Sequence, residues 1–157
     1  MGDWIEPGQR APAFTLTDDD GTTVCLADLK GRPVVVYFYP RDDTPGCTRE
    51  ACAFRDQRTQ LKKLGATVLG ISTDSVDSHG KFRDKYQLNF PLLADTDHAV
   101  AEKYGSWREK NMYGKKSMGI QRSTYLIDAD GKVAKVWKAV KVDGHDEQVM
   151  AALRELG

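Results

Sequence analysis

The sequence predicts an α/β fold, a central β-sheet flanked by helices, on three observations. Short β-branched and aromatic runs alternate with helical stretches, a strand pair and a closing helix end the chain, and Gly and Asp punctuate the junctions. The chain has 157 residues, enough to bury a proper core, and carries no linker, repeat or low-complexity segment. One domain spanning 1–157 is therefore expected.

The elements follow in order. Residues 14–17 and 22–26 flank Asp18-Asp19-Asp20-Gly21, where aspartate and glycine favour a tight turn, so they read as an N-terminal hairpin. Residues 34–39, Val-Val-Val-Tyr-Phe-Tyr, read as a buried central strand. A helix is expected over 48–64, with Phe54, Leu61 and Leu64 at core-facing spacing and Gly65 as its stop. Residues 67–72 form a second buried strand, 75–86 a helix containing Phe82 and Tyr86, and 91–94 a short extended piece. A short helix over 98–104 is closed by Gly105. Residues 123–128 and 132–137 pair about Asp130-Gly131, and a last helix covers 144–156. Lys110, Lys115 and Lys116 around Tyr113-Gly114 read as a solvated basic loop, with the border of a pocket or a docking face as the alternative.

Composition narrows the function. Basic and acidic residues number 23 each, so no global field favours nucleic acid or an anionic membrane. No apolar run is long enough to span a bilayer, and Met1 to Pro7 lacks the basic flank and apolar core of a signal peptide. Three cysteines do not make a secreted disulfide framework, so a cytoplasmic location is expected. His79, His98 and His145 have no metal-ligand spacing and read as surface residues; no metal or cofactor is expected. The aspartate-rich turns lack the remaining ligands of a calcium loop. Trp4, Trp107 and Trp137 are expected to pack, and Cys25 to be a packed or half-exposed thiol without a catalytic role.

Chemistry concentrates at Pro40-Arg41-Asp42-Asp43-Thr44-Pro45-Gly46-Cys47. Cys47 lies where a strand's C-terminal end turns into a helix, facing unpartnered backbone N–H groups and the positive end of the helix dipole, a setting that attracts a negatively charged sulfur. Pro45 fixes its own φ, Gly46 lets a small ligand approach the backbone, and Thr44 offers a hydroxyl. A small buried hydrophobe in a turn is the plain alternative for Cys47. Cys52 stands five residues on, which along a helix separates the Cα atoms by about 8.5 Å on different faces. A disulfide needs about 7 Å or less, so the two can bond only if the helix unwinds; Cys52 otherwise reads as a core residue. By itself Arg122 reads as an ordinary surface arginine beside a strand.

The stretch from Tyr37 to Ala53, with residues 119–128 around Arg122, resembles the peroxiredoxins, in particular the bacterioferritin comigratory protein or peroxiredoxin Q group. The similarity runs over nearly the whole chain, and the spacing of Pro40, Thr44 and Cys47 carries it. The resemblance implies a thioredoxin-like fold, a central mixed β-sheet flanked by helices with an N-terminal β-hairpin extension. Thr44-Pro45-Gly46-Cys47 sits where thioredoxins carry their Cys-x-x-Cys, and the chain has none, which disfavours a dithiol reductase. Cys47 is by resemblance the peroxidatic cysteine, Cys52 the resolving cysteine and Arg122 an active-site arginine.

The implied reaction is reduction of hydrogen peroxide and organic hydroperoxides through a sulfenic acid and an intramolecular disulfide, reset by thioredoxin or glutaredoxin. In it Arg122 stabilises charge on sulfur and on the leaving oxygen, Thr44 with Pro45 and Gly46 positions the peroxide, and Pro40 shields the sulfur. With both cysteines in one chain a monomer is expected. A thiol-based redox sensor using the same pair is the alternative.

Overall fold

The computed structural model describes residues 3–156; the expected span of 1–157 exceeds this by Met1, Gly2 and Gly157, which lie outside the described residues. Seven strands form a mixed sheet: β1 (Thr15–Asp18), β2 (Thr23–Cys25), β3 (Val34–Phe38), β4 (Thr67–Ser72), β5 (Leu92–Ala94), β8 (Ser123–Ile127) and β9 (Val133–Trp137), in the order β2-β1-β5-β4-β3-β8-β9. The central β3 runs parallel to β4 and antiparallel to β8. Side-chain alternation splits its residues between two cores. Val35, Tyr37 and Tyr39 face α1 (Pro45–Asp56), α3 (Val76–Tyr86) and α5 (His145–Leu156), while Val34, Val36 and Phe38 face α4 (Ala99–Tyr104) and the N-terminal segment.

The N-terminal hairpin forms as expected. Its turn is held by Asp18, whose Oδ1 accepts the N–H groups of Asp20 and Thr22 at 2.9 Å each, so these aspartates build a turn. β1 then joins the main sheet through β5. Ser75 caps α3 by accepting the Ser78 N–H at 3.1 Å, and Gly105 closes α4 in the left-handed region at φ 89°.

Four expectations need correction. The single helix over 48–64 is two, α1 and α2 (Arg58–Lys63), and the first starts three residues early because Pro45 is preorganised for a first helical position. The break falls at Gln57, whose side-chain amide donates to Asp146 and Glu147 of α5 at 2.8 and 2.9 Å. The basic loop is an antiparallel ribbon, β6 (Trp107–Met112) with β7 (Lys115–Ile120), turning through Tyr113 and Gly114 at φ 54° and 79°. Two consecutive positive φ values suit the twist of a tight hairpin. The strand expected over 22–26 is shorter, Thr23–Cys25, because Leu26 opens a 3-10 turn, Leu26–Leu29. His79 and His145 are 0% and 1% exposed, because each has a buried hydrogen-bond partner, Asp42 at 2.7 Å and Thr124 at 2.8 Å.

Gly70 shows how tightly the sheet packs beside α1. It pairs with Tyr37 on one side and Leu92 on the other, and a Cβ there would lie 2.9 Å from the Tyr37 hydroxyl and 3.0 Å from Leu92 Cδ2. Tyr37 is buried and cannot swing away. Gly70→Ala is expected to cost about 1–3 kcal/mol by overpacking, read as a lower urea midpoint with an unchanged slope.

Candidate active site

The strand-to-helix junction after β3 brings Cys47 to the first turn of α1, where it is 2% exposed. The connecting loop is braced from below. Tyr39 donates to Asp42 Oδ1, Asp42 Oδ2 meets Ser78 and His79 at 2.8 and 2.7 Å, and the Asp42 N–H donates to Asp74 at 2.8 Å. Asp42, Asp74 and His79 approach closely enough to hold a metal ion. Their hydrogen bonds to Tyr39, Ser72, Ser78 and the backbone instead account for the cluster as a structural network. Asp43, held at φ 57°, is tied to Lys85 at 2.8 Å and to the Tyr86 hydroxyl at 2.7 Å.

Arg122 arrives from 75 positions along the chain. Because Phe38 pairs with Ser123 across β3 and β8, the residue before Ser123 falls beside the end of β3, where the loop to Cys47 begins. Its Nη2 donates to Cys47 Sγ at 3.3 Å and its Nη1 to Glu50 Oε1 at 2.6 Å. The side chain is 16% exposed. Burial works against its charge, but Glu50 and the Cys47 sulfur outweigh burial and raise its pKa further. The sulfur therefore faces a permanent cation on one side and the free N–H groups of the first turn of α1 on another.

Gly46 makes this contact possible. A Cβ there would stand 3.1 Å from Arg122 Nη2, so a larger residue requires the guanidinium to give by a few tenths of an ångström. Gly46→Ala is expected to lower the second-order rate constant with hydrogen peroxide about tenfold, a fraction of what removing a charge-stabilising donor costs. Thermal stability should hold or rise, since alanine favours the helix. An unchanged rate would mean that Arg122 keeps its contact by adjusting.

Thr44 is the N-cap residue of α1, yet its hydroxyl makes no capping bond and donates to the Arg41 carbonyl at 2.9 Å. With that proton committed, its lone pairs face outward as acceptors. Pro45 occupies the first helical position, and Pro40 is half-buried just after β3. Cys52 is half-buried on α1, and both thiols are free. Residues 47–52 lie wholly within the intact helix, so a Cys47–Cys52 bond requires unwinding. The structure thus sets Arg122 against Cys47 and Gly46 at the start of α1, where Thr44 and Pro45 also lie, with Pro40 at the end of β3 and Cys52 farther along the helix.

Two neighbours, Glu50 and Tyr37, escaped the sequence reading, and a third, Lys110, was expected in a solvated loop with the border of a pocket as the alternative. Glu50 is 2% exposed; burial pushes its carboxyl up to about 7 against the pull of Arg122, and its Oε2 has no hydrogen-bond partner. The Tyr37 hydroxyl is likewise buried and unpartnered, and its pKa is raised by burial and then by the charges of Glu50 and Cys47. Lys110 of β6 runs its stem along Gly119, and its pKa is lowered by burial and then by Arg122. The ribbon therefore borders the site.

A sulfur held between a fixed cation and a helix N-terminus can attack an electrophile whose leaving atom is an oxygen, since the same donors accept the charge that develops on it. Comparisons with known proteins bear on which electrophile. Residues 7–136 match the AhpC/TSA family. The chain is 56% identical to the putative peroxiredoxin bcp of Coxiella burnetii over 149 residues, 95% of this chain and 99% of that one. It is 47% identical to the peroxiredoxin Bcp of Bacillus subtilis, over 97% of each chain. The structure matches that of the bacterioferritin comigratory protein of Xanthomonas campestris, described for its alkyl peroxide reduction activity, with a TM-score of 0.89 at 40% identity, covering 99% of this chain and 98% of that one.

Proposed function

Because the chain belongs to the AhpC/TSA family and is a thiol peroxidase of the peroxiredoxin kind with the thioredoxin-like fold, we propose that Cys47 is the residue that attacks peroxide and Cys52 the one that resolves it. The observation that carries this reading is the Arg122 Nη2 contact with Cys47 Sγ at 3.3 Å, at the N-terminus of α1.

The thiolate of Cys47 attacks one oxygen of ROOH, the O–O bond breaks, and the other oxygen leaves as RO⁻ and takes a proton to give ROH, or water when the substrate is hydrogen peroxide. Cys47 is then a sulfenic acid. Arg122 faces the developing charge, Thr44 accepts a hydrogen bond from the protonated oxygen, Pro45 and Gly46 leave the backbone N–H groups accessible, and Pro40 keeps bulk water from the sulfur. The Cys52 thiol then displaces water from the sulfenic acid to form the disulfide, for which the first turns of α1 must open. A dithiol protein of the thioredoxin or glutaredoxin class takes over the disulfide and returns both cysteines to thiols. Both cysteines belong to one chain, so the working unit is a monomer in a single domain, and recycling places it in a reducing compartment such as the cytoplasm. No helix of the described residues is long and apolar enough to cross a membrane.

The test is peroxide consumption coupled to thioredoxin, its reductase and NADPH. Wild type is expected to turn over many equivalents, while Cys52→Ser consumes one and stops as a sulfenic acid that dimedone traps. Sustained turnover by Cys52→Ser would remove Cys52 from the mechanism. A single equivalent consumed by wild type, with every dithiol reductant tried, would overturn the cycle.

A further inference from the structure

At the end of the sheet opposite Cys47, three stretches meet: the segment through Arg10 and Ala11, the 3-10 turn with loop 30–32, and the β8–β9 turn. The Ala11 N–H donates to the Gly131 carbonyl and the Gly31 N–H to the Ala129 carbonyl, both at 2.9 Å. They line a half-open hollow of about 140 Å³ walled by Ala11, Leu26, Leu29, Val34 and Ile127. Leu26 and Leu29 pack against the core on one side yet stay half-exposed on the other. Val34 opens β3, so the length of that strand, ~17 Å, separates this hollow from the peroxide chemistry.

The mouth is cationic. Arg10, Lys30 and Arg32 line it, and among the described residues none of the three reaches a carboxylate within ion-pair distance. The Arg10 guanidinium and the Lys30 stem both reach the β8–β9 turn: a Cβ on Gly131 would meet Arg10 Nη1 at 3.5 Å and Lys30 Cε at 4.0 Å. Arg10 has only a long bond, 3.5 Å, to the Asp130 carbonyl. The carboxylate on the wall, Asp128, spends its Oδ1 on the N–H groups of Asp130 and Lys132, at 3.0 Å each, within its own turn. Three cations at the rim of an apolar hollow favour an anion there. An apolar cavity of about 150 Å³ accommodates a benzene-sized body.

We propose that this cavity binds a small amphipathic carboxylate, its apolar body of six to eight carbons among Leu26, Leu29, Val34 and Ile127 and its carboxylate between Arg10 and Lys30. The site is independent of the peroxidase centre. A ligand held there stabilises the folded chain by mass action.

Benzoate is the probe, titrated into the full-length protein and followed by amide chemical shifts. Saturable binding is expected with a dissociation constant of about 1 mM or tighter at low salt, centred on residues 10–13, 26–34 and 127–131. Binding should weaken as salt is raised. Benzyl alcohol, equal in size but uncharged, should bind about tenfold more weakly, and the double variant Arg10→Gln/Lys30→Gln should lose that preference without touching the core. Leu29→Trp, which fills the hollow, should abolish binding while peroxide turnover shows that it still folds. Cys47→Ser should bind as wild type does. Failure to saturate at about ten times the expected constant, equal affinity for benzyl alcohol, or unaltered binding to Leu29→Trp would each overturn the proposal.

Discussion

Arg122→Ala is expected to lower kcat/KM for hydrogen peroxide by about 10²–10³-fold, the usual cost of deleting a donor aimed at developing charge, while Cys47→Ser leaves only background reaction. The arginine loss has two parts that the structure separates. Its Nη2 touches the Cys47 sulfur, whereas its Nη1 is the partner of a buried carboxyl, Glu50 Oε1, at 2.6 Å. Alanine removes both; with its cation gone the buried Glu50 carboxyl is pushed further toward its neutral form, so stability falls by less than the roughly 3–5 kcal/mol of a stranded buried charge. The control is Arg122→Ala/Glu50→Gln, in which no charge is stranded. It should recover most of the lost stability and none of the lost rate. Arg122→Lys keeps a charge but not the fork that bridges sulfur and carboxylate, and should fall between, at about tenfold below wild type. Peroxide kinetics by stopped-flow tryptophan fluorescence and urea unfolding of the same variants give both quantities. If Arg122→Ala retains a rate within about threefold of wild type, the guanidinium contributes packing and no catalysis.

The parts of the fold that were legible in the sequence are those written as continuous apolar runs of strand length. Residues 34–39 and 67–72 had to be central strands because each residue type suits a surface buried on both sides, and they are β3 and β4 within one residue. The ribbon β6–β7 was not legible. Arg108, Glu109, Lys110 and Asn111 followed by Lys115, Lys116 and Ser117 present no alternating apolar face, since the pair stands apart from the main sheet. Its one local signal was Tyr113-Gly114, a tight-turn pair read instead as part of a loop. Cys47 was legible through its local setting, but Arg122 only through a resemblance, because its place beside Cys47 depends on the register of β8 on β3. Glu50 did leave a trace. It falls on the stripe of Cys47, Ala51 and Phe54, all buried, and an acid at a core-facing position is the sign of a buried partner. His79 left none, for its burial rests on a loop carboxylate 37 positions away.

Glu50 also predicts how the reaction answers to pH. It sits between Cys47 and Cys52, so any opening that joins the two sulfurs carries Glu50 out of its buried place and away from Arg122. The groups facing it there are Arg122, which favours its charged form against burial, and Cys47 and Tyr37, each of which shares an electrostatic interaction with it or with Arg122. In the intact helix burial pushes the Glu50 carboxyl up to about 7; in the opened segment it returns to about 4.3, the value of a solvated glutamate. The intact helix thus binds the proton more tightly. Its advantage is complete below about pH 4.3 and is lost as pH rises toward 7, because the opened state releases the proton first. Opening is therefore expected to become more favourable by up to about tenfold per pH unit across that window and to level off above it. Amide exchange over residues 47–52, corrected for intrinsic rates, measures this directly in Cys52→Ser, where no disulfide intervenes. Glu50→Gln should flatten the profile, and the ratio of the two profiles removes any contribution from other titrating groups. In the proposed cycle the chemical consequence follows at the sulfenic acid. At pH 5 the helix stays closed longer, a second peroxide reaches Cys47 before Cys52 does, and sulfinic acid per turnover should exceed that at pH 7.5 by severalfold. A flat ratio between wild-type and Glu50→Gln exchange would show that the carboxyl stays in place, or stays charged, while the helix opens.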